Sequence, residues 1–192
     1  MIYECVDARE LLLDERELAA RLGAPIGTEL DGSSRLYAQL ASVAKPAYTA
    51  VCVSLSRQND AFLIGNTETE SRALSELMGD KNECLLLAAT LGIGVDRLIL
   101  KLGGISAKDA FITDAMADAM IEALCDRAEA KITEGLVTSG RFSPGYGDLE
   151  LSVGKEILAL TDAERILGIK LTESGLMIPR KSVNAIIAIR SR

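Results

Sequence analysis

Apolar residues recur along the first half of the chain in two different periods. Leucines spaced at three and four residues predict helices, whereas stretches rich in Val and Thr predict strands. Gly23 with Pro25, and later Pro46, mark the ends of the first two helices. The predicted elements are a strand at 2–6, helices ending at Gly23, at 32–44 and at 69–78, and strands at 48–55, 62–64 and 83–90, with 48–55 and 62–64 forming a hairpin.

The longest helical pattern spans residues 106–134 and has an apolar side dense in alanine, which permits close packing. Ser106 and Asp109 predict a capping box at its start. Asp114, Asp118, Glu122 and Asp126 recur every four residues along one face. Such a row is usually a solvated face, and the alternative is that Glu122 faces a cationic ligand.

The last quarter of the chain mixes short helical and β-like segments. Residues 151–160 follow the loop at 140–148, and the Thr161-Asp162-Ala163-Glu164 segment predicts a capping box for a short helix that ends at Leu167. Residues 169–172 and 183–189 predict strands that we expect to pair as a final hairpin. Strands interspersed irregularly with helices predict an α+β fold, with a mainly antiparallel twisted sheet covered by helices, in one domain over residues 1–192.

Composition narrows the possible functions. The chain of 192 residues is 48% apolar but only 4% aromatic, so its core must be built mainly from Leu, Ile, Val and Ala. A net charge of −7 argues against nonspecific nucleic-acid binding. With no leader-like start and no apolar run of the ~18 residues that a membrane span needs, we expect a cytoplasmic protein without a membrane partner.

Histidine is absent from the sequence, and the four cysteines are scattered. These facts exclude Ser-His-Asp and Cys-His catalysis, His-ligated zinc and a histidine ligand to cobalt, and they predict no metal site. We expect Cys5, Cys52, Cys84 and Cys125 to be buried free thiols. Any chemistry must therefore come from a cofactor, from carboxylates or from a partner.

Residues 90–96 contain a Gly-x-Gly between a predicted strand and a predicted helix. This order begins a nucleotide-binding βαβ motif, but the third glycine and the later ribose-binding acid are missing. We interpret the segment as a strand-to-helix turn.

Residues 140–148, Gly-Arg-Phe-Ser-Pro-Gly-Tyr-Gly-Asp, have the composition of a binding loop. Pro144 followed by Gly145 predicts a type II turn. Arg141 supplies a planar fork suited to a carboxylate or a phosphate, and Tyr146 supplies a ring and a hydroxyl group. A tight surface turn with a solvated arginine is the alternative.

The Arg141-Phe-Ser-Pro-Gly-Tyr146 element, followed by Leu171-Thr-Glu-Ser-Gly-Leu-Met-Ile-Pro-Arg-Lys-Ser182 and a strand, resembles the C-terminal reactivation domain of cobalamin-dependent methionine synthase. It is most similar to the stand-alone bacterial form of that domain. The resemblance covers the second half of the chain well and the first half loosely. It implies an activation-domain-like fold and a binding site for S-adenosylmethionine.

The resemblance also implies roles for individual residues. Arg141 would engage the carboxylate of the ligand, while Pro144, Gly145 and Tyr146 would shape the loop. Gly175 belongs to the Ser-Gly segment, after which two aromatic residues of the family contact the ligand. Met177 and Ile178 stand at those positions here. We nominate Glu122 as the anionic partner of the sulfonium.

The implied function is a reactivation subunit in methionine biosynthesis that supports reductive methylation of cob(II)alamin, a methyltransferase component acting in trans. Orienting a strong nucleophile toward a sulfonium methyl group needs no general base, hence no catalytic residue is expected. Cobalamin would be carried by a separate methionine synthase or corrinoid protein. A flavodoxin-like protein would supply the electron, docking on a basic cluster of Arg180, Lys181, Arg190 and Arg192.

Two alternatives from other classes stay open at this point. One is a non-catalytic S-adenosylmethionine-binding module that regulates a partner. The other is a carboxylate-based enzyme holding Mg²⁺ with Asp114, Asp118, Glu122 and Asp148.

Overall fold

A computed structural model describes residues 1–27, 32–58 and 61–191. The first of these ranges contains a short 3₁₀ helix, Ala8–Glu10. The strands are β1 (Ile2–Cys5), β2 (Ala47–Ser54), β3 (Ser56–Gln58), β4 (Ala61–Ile64), β5 (Thr67–Glu70), β6 (Glu83–Thr90), β7 (Val137–Thr138), β8 (Lys170–Leu171), β9 (Met177–Ile178) and β10 (Ser182–Ser191). The helices are α1 (Glu15–Leu22), α2 (Ser33–Val43), α3 (Arg72–Met78), α4 (Ile93–Gly103), α5 (Ala107–Ile132), α6 (Val153–Leu160) and α7 (Ala163–Leu167).

The strands form three sheets, and every described pair is antiparallel. The main sheet has the order β1-β2-β6-β10-β7, while β3-β4-β5 and β8-β9 form two smaller sheets. This arrangement confirms the predicted α+β fold with a mainly antiparallel sheet covered by helices.

The main sheet is covered on both faces, which explains the continuous apolar run of β6. Leu85 and Leu87 face a core beneath α5, whereas Leu86 on the opposite side of the strand packs with α3 and α6. Strand β10 divides in the same way, with Ile187 in the first core and Ile186 in the second. Burying each such side chain contributes about 1.5–3 kcal/mol. Apolar packing on both faces therefore stabilises the central strands of the sheet.

Helix α5 supplies one long wall of the molecule. The Ser106 hydroxyl accepts the Asp109 amide at 3.2 Å, but the Asp109 carboxylate binds Arg35 at 2.8 Å, so only half of the predicted capping box forms. Within the described ranges no helix combines the length and the apolar character needed to cross a membrane.

Two predicted hairpins were wrong. Strand β10 does not pair with the segment after α7; it lies inside the main sheet between β6 and β7, and β8 pairs with β9 instead. Likewise β4 pairs with β3 and β5, whereas β2 pairs with β1 and β6. The reason is burial: β10 is too apolar for an edge hairpin and needs neighbours and covered faces.

Two helix starts also differ from the predictions. Residues 67–70 form β5, so α3 begins only at Arg72, where the Ser71 hydroxyl accepts the Leu74 amide at 3.0 Å. At α7 the Thr161 hydroxyl donates to the Ile157 carbonyl instead of capping the next helix. Asp162, at a φ of 52°, provides no side-chain cap.

The glycine motif after β6 is a packing turn, as interpreted. A Cβ on Gly94 would lie 2.5 Å from the carbonyl oxygen of Val43, so α4 can approach α2 only with glycine there. The predicted burial of the thiols is half right: Cys84 and Cys125 are buried, but Cys5 and Cys52 are exposed. Cys52 is exposed because burial alternates along the second half of β2, where every second residue faces solvent.

Candidate functional site

A cleft of about 660 Å³ opens beside the first half of β10. It lies between helix α5, the binding loop of residues 140–148 and the β8–β9 hairpin. Its volume is within the range of small-molecule sites, roughly 300–1,000 Å³. Both sequence elements that carry the family resemblance therefore face one cavity.

The binding loop is anchored to β10 by backbone hydrogen bonds. The Phe142 amide donates to the Ile186 carbonyl at 2.9 Å, and the Ile186 amide donates back at 2.8 Å. The Tyr146 amide then closes a turn onto the Ser143 carbonyl at 3.3 Å, with Gly145 at a φ of 90°. The positive φ predicted for the Pro-Gly turn is confirmed. A rigid strand thus holds the loop at its base.

The edge of β10 next to the loop also points backbone groups toward the cleft. In an antiparallel strand the N–H and C=O groups of alternate residues face the same edge. Ile186 and Ala188 use this edge to bond Phe142 and Ser139. Asn184, two residues before Ile186, lines the cleft at the same edge. The N–H and C=O groups of Asn184 are placed like those of an edge strand. They suit a planar ligand that has an acceptor and a donor side by side.

The far end of the loop is held by Asp148. Its carboxylate accepts the Ser71 hydroxyl at 2.6 Å and the amides of Arg72 and Ala73 at 2.8 and 3.1 Å. These hydrogen bonds, led by that of Ser71, lower the pKa of Asp148 to about 2. Asp148 is consequently a cap on α3 that ties the loop to this helix.

Leu151 lies between the binding loop and the β8–β9 hairpin, the two segments that border the cleft. A Cβ on Gly145 would lie 3.2 Å from one methyl group of Leu151, and a Cβ on Gly175 would lie 2.8 Å from the other. Both glycines have a positive φ. Leu151 therefore packs against two glycine turns, which explains why the binding loop and the turn between β8 and β9 each carry glycine at this contact.

Arg141 donates to three carboxylates of α5 at the side of the cleft. Its Nη1 binds Asp126 at 2.8 Å and Glu129 at 3.0 Å, and its Nη2 binds Glu122 at 3.0 Å. The Arg141 side chain is 19% exposed. Burial alone would lower the pKa of Arg141, but the hydrogen bond to Asp126 and the nearby negative charges raise it above its ordinary value.

The other acids of the same row are paired as well. Lys181, only 7% exposed, binds Asp114 at 2.9 Å and Asp118 at 2.6 Å, and Arg21 lies 3.3 Å from Asp118. The interpretation of the row as a solvated face holds only for Asp126, which is 72% exposed. The other three acids are half-buried, and cations from other elements reach them. Among the described residues no group of three or more His, Cys, Asp or Glu is arranged to hold a metal ion. The Mg²⁺ alternative gains no support.

Six of the eight predicted site residues line the cleft. Gly145 forms the turn, and Ile178 is absent from the described lining because neighbouring strand residues point to opposite sides. Nine further lining residues were not among the predicted site residues: Glu129, Gly140, Phe142, Ser143, Leu151, Leu171, Ser182, Val183 and Asn184. Glu129 was detectable, since it continues the acid row by three residues. The residues brought together as predicted are Glu122, Arg141, Pro144, Tyr146, Gly175 and Met177.

The predicted basic docking cluster is not one cluster in space. Arg180 precedes β10 and Arg190 lies near its end, which at about 3.3 Å per residue separates them by roughly 30 Å. Lys181 between them is buried in its ion pairs. Arg192 lies outside the described residues.

Comparison with known proteins places the fold. The chain superposes on a crystal structure of the MetH reactivation domain bound to AdoHcy with a TM-score of 0.73, covering 98% of this chain and 78% of the other. The chain has the fold of that domain. Sequence identity is 17%, so this likeness concerns the fold alone. No family model matches the sequence, and no curated protein does.

Proposed function

We propose that this chain binds S-adenosylmethionine in the β10 cleft and acts as a reactivation subunit for cobalamin held on a separate protein. The observation that carries the proposal is the meeting of the binding loop and the Ser-Gly segment around one cleft of ligand size. Support comes from the fold, which is shared with a domain whose structure holds AdoHcy.

The lining of the cleft fits the parts of such a ligand. Leu151, Met177 and Val183 offer apolar surface for a nucleoside, and the β10 main chain at Asn184 offers a donor and an acceptor for the edge of a base. Glu122 and Glu129 bring negative charge for the sulfonium and the ammonium. When bound, S-adenosylmethionine supplies a methyl group on a good leaving group.

The remaining components would come from partners. A chain without histidine has no imidazole for cobalt, so we propose that a methionine synthase or another corrinoid protein presents the cobalamin, with the electron from a flavodoxin-like donor. The role of this chain is then to bind, orient and shield the ligand, which by itself accounts for a large part of many rate enhancements.

A charge placed inside the cleft, with a matched charge just outside it, tests ligand binding. Met177 lines the cleft, whereas its neighbour Ile178 is 47% exposed. We expect Met177→Lys to abolish calorimetric binding of S-adenosylmethionine by obstruction and charge repulsion, and Ile178→Lys to bind within about twofold of the wild type. Equal loss in both variants, or no binding by the wild type, would contradict the proposed site.

A second experiment separates reactivation from the regulatory alternative. Saturating S-adenosylmethionine, a cob(II)alamin-loaded corrinoid protein and a reduced flavodoxin are mixed with and without this chain. Loss of the cob(II)alamin spectrum with formation of S-adenosylhomocysteine, dependent on the chain, supports reactivation. Tight ligand binding without methyl transfer would select the non-catalytic module.

A further inference from the structure

We propose that the corner where α4 meets α5 is a docking surface for an acidic protein partner. This α4–α5 corner is formed by exposed side chains of two kinds, three cations and three large apolar residues: Arg97, Leu100, Lys101, Ile105, Lys108 and Phe111. None of the six belongs to the described lining of the ligand cleft. The inference goes beyond the proposed function, from which it takes only the protein that serves as a probe.

A tight turn joins the two helices. The Ile105 and Ser106 amides donate to the Leu102 carbonyl at 2.9 and 2.7 Å, so the chain reverses within a few residues. A Cβ on Gly103 would lie 4.0 Å from the Cβ of Ala110. The end of α4 therefore touches the start of α5, and side chains next to this contact share one surface.

The side chains of the α4–α5 corner lie close to this contact. Leu100 lies one helical turn before it, and Phe111 lies one residue after it. Residues three and four apart are neighbours on a helix, so Arg97 lies beside both Leu100 and Lys101. Lys108 lies beside Phe111 for the same reason. The cations thus surround the apolar side chains.

The apolar residues of the corner are unusually accessible. Leu100 is 79% exposed, Ile105 is 76% exposed and Phe111 is 56% exposed. A single exposed leucine needs no explanation, but several large apolar side chains together on a surface mark an interaction site. Aromatic and arginine side chains are the types enriched in protein interfaces.

The charge of the corner indicates the kind of partner. Within the part of the chain that the structure describes, its three cations have no ion-pair partner. The nearby acids are engaged, since Asp109 binds Arg35 at 2.8 Å and the Asp96 carboxylate accepts the Arg180 amide at 2.8 Å. The corner is therefore positive on a chain of net charge −7. It fits a surface on which carboxylates surround an apolar centre.

A protein fits this corner better than an anionic membrane does. A membrane would face the acidic remainder of the chain as well, and the net charge of −7 opposes that approach. A protein surface can match a small positive corner without facing the rest of the molecule.

The position of the corner connects it with the cleft. Phe111, Asp114, Asp118 and Glu122 share one face of α5 at intervals of three and four residues. Glu122 lines the cleft. It follows Phe111 by three turns of helix, about 16 Å at 1.5 Å per residue. A protein docked at the corner would therefore lie beside the cleft.

Reversing one charge tests the electrostatic part. The probe is a flavodoxin, an acidic protein of the class that donates the electron in the proposed function, titrated calorimetrically at low and high salt. We expect Lys101→Glu to weaken its binding about fivefold or more at low ionic strength, a difference that shrinks in high salt. Lys155→Glu is the matched control, because Lys155 is an exposed lysine of α6, on the other side of the sheet. We expect it to bind within about twofold of the wild type.

Replacing one leucine tests the apolar part. We expect Leu100→Ser to weaken flavodoxin binding about threefold or more at both salt concentrations, because lost apolar contact is not screened. Leu12→Ser is the control, since Leu12 is 87% exposed and lies outside the corner. We expect Leu12→Ser to bind within about twofold of the wild type. Both variants should fold, because each replaced side chain is exposed.

The outcomes separate this inference from the proposed function. Equal weakening by Lys101→Glu and Lys155→Glu, or no binding of flavodoxin by the wild type, would overturn the inference. Binding to vesicles of phosphatidylcholine with phosphatidylserine, lost in Lys101→Glu, without binding of flavodoxin would assign the corner to a membrane and also overturn it. Calorimetry with S-adenosylmethionine is independent of the corner. A chain that binds flavodoxin as expected but not S-adenosylmethionine would support this inference and contradict the proposed function.

Discussion

The acidic side chains on one face of α5 form two groups, each spaced by about one helical turn, and the two groups have different surroundings. Asp114 and Asp118 hold the ammonium of Lys181, which is almost fully buried. Glu122, Asp126 and Glu129 hold the guanidinium of Arg141 at the side of a cleft. Each cation arrives from a different element, Lys181 from just before β10 and Arg141 from the loop after β7.

The difference lies in what surrounds the cation. At Lys181 a point charge is enclosed by two acids, and its carbonyl is fixed by the Leu91 amide at 2.9 Å. At Arg141 a planar fork meets three acids and leaves excess negative charge beside a cavity. Similar carboxylates thus stabilise the fold at one end of the helix and shape a candidate ligand site at the other.

Removing Lys181 should have the largest effect. Lys181→Met leaves Asp114 and Asp118 without their ammonium partner in a half-buried position, and we expect the free energy of unfolding to fall by about 2–3 kcal/mol. Urea unfolding measures this loss. Ligand affinity should stay within about twofold, because Lys181 does not line the cleft.

Lys170→Met is the matched control for this loss. Lys170 pairs with Glu164 at 3.4 Å, and both side chains are 69% exposed. Such a surface pair is worth about 0–1 kcal/mol. Equal destabilisation by the two variants would show that the burial of Lys181 has no energetic consequence.

Replacing Arg141 should have a smaller effect on stability and a strong dependence on salt. Arg141→Leu removes the counterion of three neighbouring acids, and we expect a loss of about 1–2 kcal/mol at low ionic strength. Salt screens the repulsion that remains between Glu122, Asp126 and Glu129. Unfolding in 20 mM and 1 M NaCl should show the loss shrinking in high salt, and a loss independent of salt would point to packing instead.

Local features of this chain could be predicted from its sequence, whereas the partners of the acids on α5 could not. The period of the apolar residues predicted most helices and strands, and the Pro144-Gly145 pair predicted a turn with positive φ, because these features depend on nearby residues. The partners of the acid row depend on strand order, which brings Lys181 and Arg141 to α5 from more than ten residues away. The acids alone cannot indicate which cation reaches them.

Asp148 gives the smallest predicted effect and one with a defined pH window. Its pKa is about 2 in the folded chain against an ordinary 3.8, so its stabilising hydrogen bonds to Ser71, Arg72 and Ala73 persist above about pH 4 and are lost as the pH falls toward 2. We expect the difference in unfolding free energy between the wild type and Asp148→Asn to be constant from pH 6 to about pH 4 and to shrink below that. Glu134→Gln controls for the removal of an acid as such. A difference that stays flat down to pH 2.5 would mean that the carboxylate is not what ties the binding loop to α3, and the rigidity of the cleft would then have to come from β10 alone.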